Sequence, residues 1–414
     1  MLSYLLARIF PFQPYRYAAK AGSPENLLTQ PYDKISPAMQ TRYLSLSPYN
    51  LVRIILGQKS DSDSDGDNVY TRATATLNEW IATGVLEREN SPSLYAYFQK
   101  FTVPDTGQVL ERKGFIGLGA LEDYSAHVVH RHEQTLSGPK KDRMQLLCQT
   151  RAHCEQIFML YPDKDLAIDK ILDQAATGTP IISVTEEYGP LHRVWKISDP
   201  EMIQCIQKFM ADKKLLIADG HHRYETALAY RNDNPGLQDA RNVVMTFVNM
   251  HSPGLEILAT HRVLHSLPSD AMARLAQLPG RRLASLDQLR QLFRTPAPNK
   301  IRIGISQRSG LTLYERERKS GELDVQVLHQ ELIGGVLGIS EEDVREEKHI
   351  EYVRGLDAAY SKIQSGEAEL AFLLEPTTIQ QVADVAFSGG VMPQKSTDFY
   401  PKLLSGITIY KLES

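Results

Sequence analysis

The 414-residue sequence is poor in cysteine, in basic excess and in long apolar runs, and each shortage removes a class of function. Only Cys148, Cys154 and Cys205 occur. Scattered without paired spacing, they form neither a disulfide framework nor a zinc site, and they fit a reducing compartment. A formal charge of −4 gives no general attraction to nucleic acid, which needs a basic face. No apolar run approaches membrane-spanning length, so no membrane association is expected. The N-terminal MLSYLLARIFPFQPYRY is interrupted by Arg8 and Pro11 and lacks a small-residue cleavage site. It reads as a first strand rather than a signal peptide, and the protein is expected in the cytoplasm. Flavin, nicotinamide and metal–thiolate signatures are missing, as are repeats and heptads.

Two motifs begin well and fail. Asp61-x-Asp63-x-Asp65-Gly66 opens like a calcium loop, but Arg72 stands where the bidentate glutamate belongs, leaving an acidic surface loop. Lys395-Ser396-Thr397 ends like a phosphate loop, but Gly389-Gly390 lies too close and no helix pattern follows.

What is present is an ordinary globular mixture, 42% hydrophobic and 23% charged, long enough for two domains. Strand and helix patterns intermingle, giving an α/β fold with mixed sheets. The expected division is residues 1–197, an N-terminal α/β domain, and 198–414, a second one. Strands are predicted over 5–12, 50–56, 157–161, 243–249 and 255–260. Hairpins are predicted at 94–103 with 108–118 and at 181–185 with 192–197. Helices are expected over 37–46, 69–83, 166–176 and 199–210, and from Pro139. Further on, a helix pair and hairpin (270–314) precede helices at 325–332, 352–365 and 378–387 and a strand at 368–374.

The stretch 213–230, KKLLIADGHHRYETALAY, carries the strongest chemical signal. Leu215–Ile217 form a buried strand, Ala218-Asp219-Gly220 a tight turn, and a helix starts at His221. Such a turn points backbone N–H groups out of a helix start, a ready anion site. Arg223 can grip two phosphate oxygens, and His221 and His222 can donate hydrogen bonds or move protons. Other polar clusters sit at element ends. Arg131, His132, Glu133, Lys140 and Arg143 crowd the start of a helix, and His261 and Arg262 follow an apolar strand. Lys395 and Thr397 lie in a hydroxyl- and lysine-rich loop over 392–402. This set suits a phosphate-bearing small molecule.

Asp219-Gly220-His221-His222-Arg223 resembles the signature of the ParB/sulfiredoxin superfamily, implying a ParB/sulfiredoxin-like core with elaborated N- and C-terminal parts. His221 stands where sulfiredoxins carry their reactive cysteine, so the likeness stops short of sulfinic-acid repair. The free serine kinases of that superfamily have a similar turn. A large bacterial family of unknown function is similar over nearly the whole chain, through Pro31-Tyr32-Asp33, Arg131-His132-Glu133 with Gly138-Pro139-Lys140, DGHHRYETA, Thr260-His261-Arg262 and Met392 to Thr397. The resemblance implies phosphoryl transfer to a small hydroxylated metabolite, best matched by free L-serine. ATP, ADP or pyrophosphate would be the donor and Mg²⁺ the metal, with Asp219 as its possible ligand. By the same likeness Asp33 is the candidate general base, with Asp219, His221 and His222 as further catalytic candidates. Gly220, His221, His222, Arg223 and Lys395 would bind phosphate. Arg131, His132, Glu133, Lys140, Arg143, His261, Arg262 and Thr397 would line the substrate. Two alternatives use the same residues: a phosphatase or nucleotidase, and a nucleotide-binding regulator of the ParB kind. The acidic net charge and the lack of a helix-turn-helix disfavour the regulator.

Overall fold

Nine strands with buried side chains on both faces form the main sheet of the computed structural model, which describes residues 7–104, 106–133 and 137–413. They are β1 (Ile9–Phe10), β2 (Leu94–Thr102), β3 (Val109–Ala120), β4 (Val129–His130), β5 (Ile157–Tyr161), β6 (Ile182–Thr185), β7 (Leu191–Ile197), β8 (Leu215–Asp219) and β9 (Asn242–Asn249). Their order is β4-β8-β5-β9-β3-β2-β7-β6, with β1 beside β3. The β4–β8 and β5–β9 pairs are parallel and the others antiparallel, so the fold is mixed α/β, as the sequence implies. Helices that accompany them include α1 (Pro37–Leu46), α2 (Val52–Ile55), α3 (Val69–Ala82), α4 (Ser137–Thr150), α5 (Ala167–Ala175), α6 (Pro200–Met210) and α7 (His221–Asp233). Ile168 and Leu172 of α5 and Ile203, Ile206 and Met210 of α6 pack with Leu94, Phe98, Phe115, Met245 and Phe247 of the sheet. Asp199 accepts from the Glu201 N–H at 2.9 Å, starting α6 where an acidic N-cap is favoured.

The chain forms two compact units. One holds residues up to Arg131, Thr135–Leu255 and Pro401–Ser414; the other holds His132–Gln134 and Glu256–Tyr400. The expected boundary at 197 falls inside the first unit, because β7 and β8 belong to one sheet joined through α6. The second unit has an antiparallel sheet of β10 (Thr260–Leu264), β11 (Arg281–Leu283), β12 (Lys300–Gln307), β13 (Gly310–Glu317), β14 (Ile350–Arg354) and β15 (Leu370–Leu374), ordered β11-β13-β12-β15-β10-β14. Among the described residues no helix is long and apolar enough to cross a membrane.

Several local expectations are corrected. NLVRIIL, read as a strand over 50–56, forms α2. The Asn50 side chain accepts from the Val52 N–H at 3.0 Å, and Leu51, Val52, Ile54 and Ile55 bury at helical spacing. The 352–365 helix begins only at Leu356, since Tyr352 belongs to β14 and Gly355 turns the chain at φ 87°. The first strand shrinks to Ile9–Phe10, Leu5 lying outside the described residues. The 104–107 turn of the first hairpin includes Asp105, which also lies outside them.

Inside β10, His261 is 1% exposed, and its Nδ1 accepts from the Leu374 N–H at 3.2 Å. Burial and the charge of Arg262 pull its pKa down to about 3. The folded unit holds this ring neutral, whereas the unfolded chain protonates it below about pH 6.5. Stability should therefore fall as pH drops from about 6.5 toward 3, by about 1.4 kcal/mol per pH unit for this residue. Urea unfolding of the full chain at pH 7 and pH 5 tests this. A slope unchanged in His261→Gln would refute it.

Candidate functional site

The 213–230 stretch folds as its pattern predicts. Leu215–Ala218 are buried in β8, Gly220 takes φ 94° and α7 starts at His221 without a side-chain cap. Glycine suits position 220 on two counts. Its backbone is left-handed, and a Cβ there would sit 3.1 Å from the Arg223 guanidinium, which folds back over the turn. Arg223 Nη1 donates to the Gln156 carbonyl, and Nη2 lies 3.4 Å from Asp219 Oδ2.

Asp219 is the electrostatic centre. Burial opposes its charge, but Lys402, Arg223, Lys34 and His221 outweigh that and hold its carboxyl well below the usual range. Burial likewise opposes the charge of Arg223, which Glu155, Asp219, Asp33 and Tyr32 sustain. The short 3₁₀ turn Tyr32–Lys34 brings Asp33 and Lys34 to this cluster. Glu155 anchors that turn, accepting from the Tyr32 N–H at 3.0 Å and from Ser405 Oγ at 3.4 Å. Asp33, Lys34, Glu155, Asp219, His221, Arg223 and Lys402 thus act on one another within the first unit. The sequence reading selected Asp33, Asp219, His221 and Arg223 and passed over Lys34, Lys402 and Glu155. Lys34 had a signal, directly following Asp33. Lys402 had only its place at the end of a lysine-bearing loop.

The other expected residues separate into groups. Arg131 Nη1 and Lys140 Nζ hold the two oxygens of Glu225 at 3.3 and 3.0 Å, on the helix turn after Arg223. Arg131 also lies 5.1 Å over the Tyr124 ring. Arg143, 6% exposed, is committed to protein. It donates to the Ile55 carbonyl at 2.8 Å, pairs with Glu155 at 3.6 Å and stacks 3.9 Å from the Tyr32 ring centre. His132, Glu133, His261, Arg262, Lys395 and Thr397 belong to the second unit. There His132 Nε2 is 2.8 Å from Thr397 Oγ1, and Arg262 donates to the carbonyls of Gln394 and Lys395 at 3.3 and 3.2 Å. Thr260-His261-Arg262, expected at a strand exit, instead opens β10. The two apolar runs around Ala259 belong to separate strands there.

Among the described residues no group of three or more His, Cys, Asp or Glu side chains could hold a metal ion. Asp219 sits among cations, a setting that suits an anion better than a bare divalent metal.

A family model described as a protein of unknown function, DUF1015, matches residues 9–331. No curated protein matches the chain. Among solved structures, a free serine kinase in complex with AMP is similar at 12% identity and a TM-score of 0.39, covering 68% of this chain and 89% of that one. A conserved hypothetical protein from Pyrococcus furiosus is similar at 14% identity and a TM-score of 0.37, covering 69% and 92%. C-terminally truncated SbnI from Staphylococcus aureus is similar at 12% identity and a TM-score of 0.37, covering 70% and 85%.

Proposed function

The chain belongs to the DUF1015 family, and we propose that it is a small-metabolite kinase. It transfers a phosphoryl group from a nucleotide or pyrophosphate to a hydroxyl, and free L-serine is the acceptor to test first. One observation carries this reading: a glycine-turned helix start at which Arg223 folds back to within 3.4 Å of Asp219, a carboxylate on which Lys402, Lys34 and His221 also act. Phosphoryl transfer asks a protein for charge neutralisation, positioning and a base, and little covalent chemistry. Fixed cations at a helix start supply the first two.

In this reading Arg223 and the N–H groups of the first turn of α7 hold the transferred group, and His222 donates to it. Asp33, on the turn anchored by Glu155, takes the proton of the attacking hydroxyl. Magnesium, held mainly by donor phosphates as is usual for this ion, would neutralise the phosphates, with Asp219 as its candidate protein ligand. The serine acceptor follows from the likeness of the DGHHR turn to that of free serine kinases.

Phosphorus NMR of the full chain with Mg²⁺, L-serine and ATP, ADP or pyrophosphate in parallel tests the proposal. A phosphoserine resonance is expected with one donor. Asp33→Asn should slow its growth about a hundredfold while donor shifts persist. Inorganic phosphate alone would replace the kinase with a hydrolase. Donor resonances that neither shift nor turn over would refute the site.

A further inference from the structure

Residues 401–405 run beside the main sheet, and buried side chains take up much of their backbone polarity. Arg112 of β3, 1% exposed, donates Nη2 to the Pro401 carbonyl and Nε to Gln99 Oε1 at 2.9 Å. Its guanidinium lies 4.7 Å over the Phe158 ring. Gln99 of β2, the Cα partner of Arg112, donates Nε2 to the Lys402 carbonyl at 2.8 Å. The Leu404 N–H donates to Tyr97 Oη at 3.2 Å, and the Leu404 carbonyl accepts from Gln156 Nε2 at 3.3 Å. Two successive carbonyls, of Pro401 and Lys402, are therefore fixed by one cross-strand pair.

A buried arginine and glutamine at sheet positions that apolar residues could fill are costly to desolvate. What they hold reaches the site. Lys402 is 8% exposed, and among the neighbouring cations its charge acts most strongly on Asp219. Gln156, whose side chain holds the Leu404 carbonyl, takes the Arg223 guanidinium on its own carbonyl, and Glu155 accepts from both Ser405 Oγ and the Tyr32 N–H, so the 401–405 segment lies against the residues of the site.

We propose that Lys402 is a phosphate-binding residue of the Asp219 site, and that Gln99 and Arg112 are positioning residues that fix its backbone. The proposal rests on the reading of that site as one for phosphate. A lysine serves phosphate as a point charge, so its position must come from its backbone and packing. The Gln99–Arg112 pair supplies that constraint.

Two measurements on the full chain test it. In phosphorus NMR titrations with pyrophosphate, Lys402→Met should weaken binding roughly tenfold to a hundredfold, and Lys402→Arg should recover most of the loss. Gln99→Met keeps the side-chain length but cannot donate to the Lys402 carbonyl, and should weaken binding about threefold to tenfold. Pulse acetylation read by mass spectrometry, without pyrophosphate, should label Lys402 faster in Gln99→Met than in the wild-type protein. Wild-type affinity in Lys402→Met would overturn the role of the lysine. A lowered melting temperature in Gln99→Met with unchanged Lys402 labelling would reduce Gln99 to a packing residue. A wild-type protein that binds no pyrophosphate or ADP would sink the phosphate reading, and the labelling would still decide whether Gln99 positions Lys402.

Discussion

Replacing Arg223 with alanine should reduce phosphoryl transfer about a thousandfold, the upper range for losing one preorganised donor at a developing charge. The expectation is this large because Arg223 has three tasks. Its guanidinium is the cation of the first turn of α7, it bonds the Gln156 carbonyl, and it faces Asp219 at 3.4 Å. Alanine removes a charge from the proposed phosphate site and leaves the Gln156 carbonyl without this donor. It also shifts the balance at Asp219, whose depressed pKa depends partly on Arg223. Arg223→Lys separates these effects. Lysine restores a positive charge but not the planar fork that serves two acceptors at once, so its rate should fall between wild type and alanine. Initial rates of phosphoserine formation, with circular dichroism to verify folding, provide the measurement. A folded Arg223→Ala protein within tenfold of wild type would remove the arginine from the mechanism.

The second large effect is on stability. Arg112→Ala should destabilise the first unit by about 3–5 kcal/mol, lowering its melting temperature by about 10 °C. Burial draws the Arg112 pKa down, to about 10, so the side chain still carries its charge at neutral pH. Its removal strands Gln99 Oε1 and the Pro401 carbonyl, each costing about 1–3 kcal/mol when buried unbonded, and opens a cavity against Phe158. Arg112→Met, which fills the space without bonding, should recover part of the loss. Thermal melts of both variants separate the packing term from the hydrogen-bond term. Equal melting temperatures for wild type and Arg112→Ala would show that the buried bonds contribute little.

Local structure was legible in the sequence, and distant pairing was not. The strand–turn–helix at 215–233 could be read because an apolar run, a glycine and a helical stripe follow one another directly. The Asp199 and Ser36-Pro37 helix starts were legible for the same reason. At 50–56 the β-branched residues suggested a strand, yet the Asn50 side chain on the Val52 N–H and burial on one helical face decided for α2. Asp33 could be proposed beside Arg223 only through a family motif, since a 3₁₀ turn and Glu155 bring it there. Lys402 carried no mark of its place beside Asp219, because Gln99 and Asp219 lie far back in the chain. The division into units was equally hidden. It depends on Glu256–Leu258 pairing with Asp398–Tyr400 across the whole second unit, and no local pattern announces such a pair.

The late return of residues 401–413 gives this protein a particular order of assembly during synthesis. As the chain leaves the ribosome, N-terminal first, β2, β3 and β8 are available long before the segment they hold. Until then Gln99 and Arg112 lack the carbonyls of Lys402 and Pro401, and Thr29 lacks the backbone of Ser405 with which it forms a bridge. A transcript cut short after the second unit would release a protein with most of its sheet, but without those contacts to residues 401–405 and without Lys402. Completion of the Asp219 cluster therefore waits on a segment translated only after the second unit.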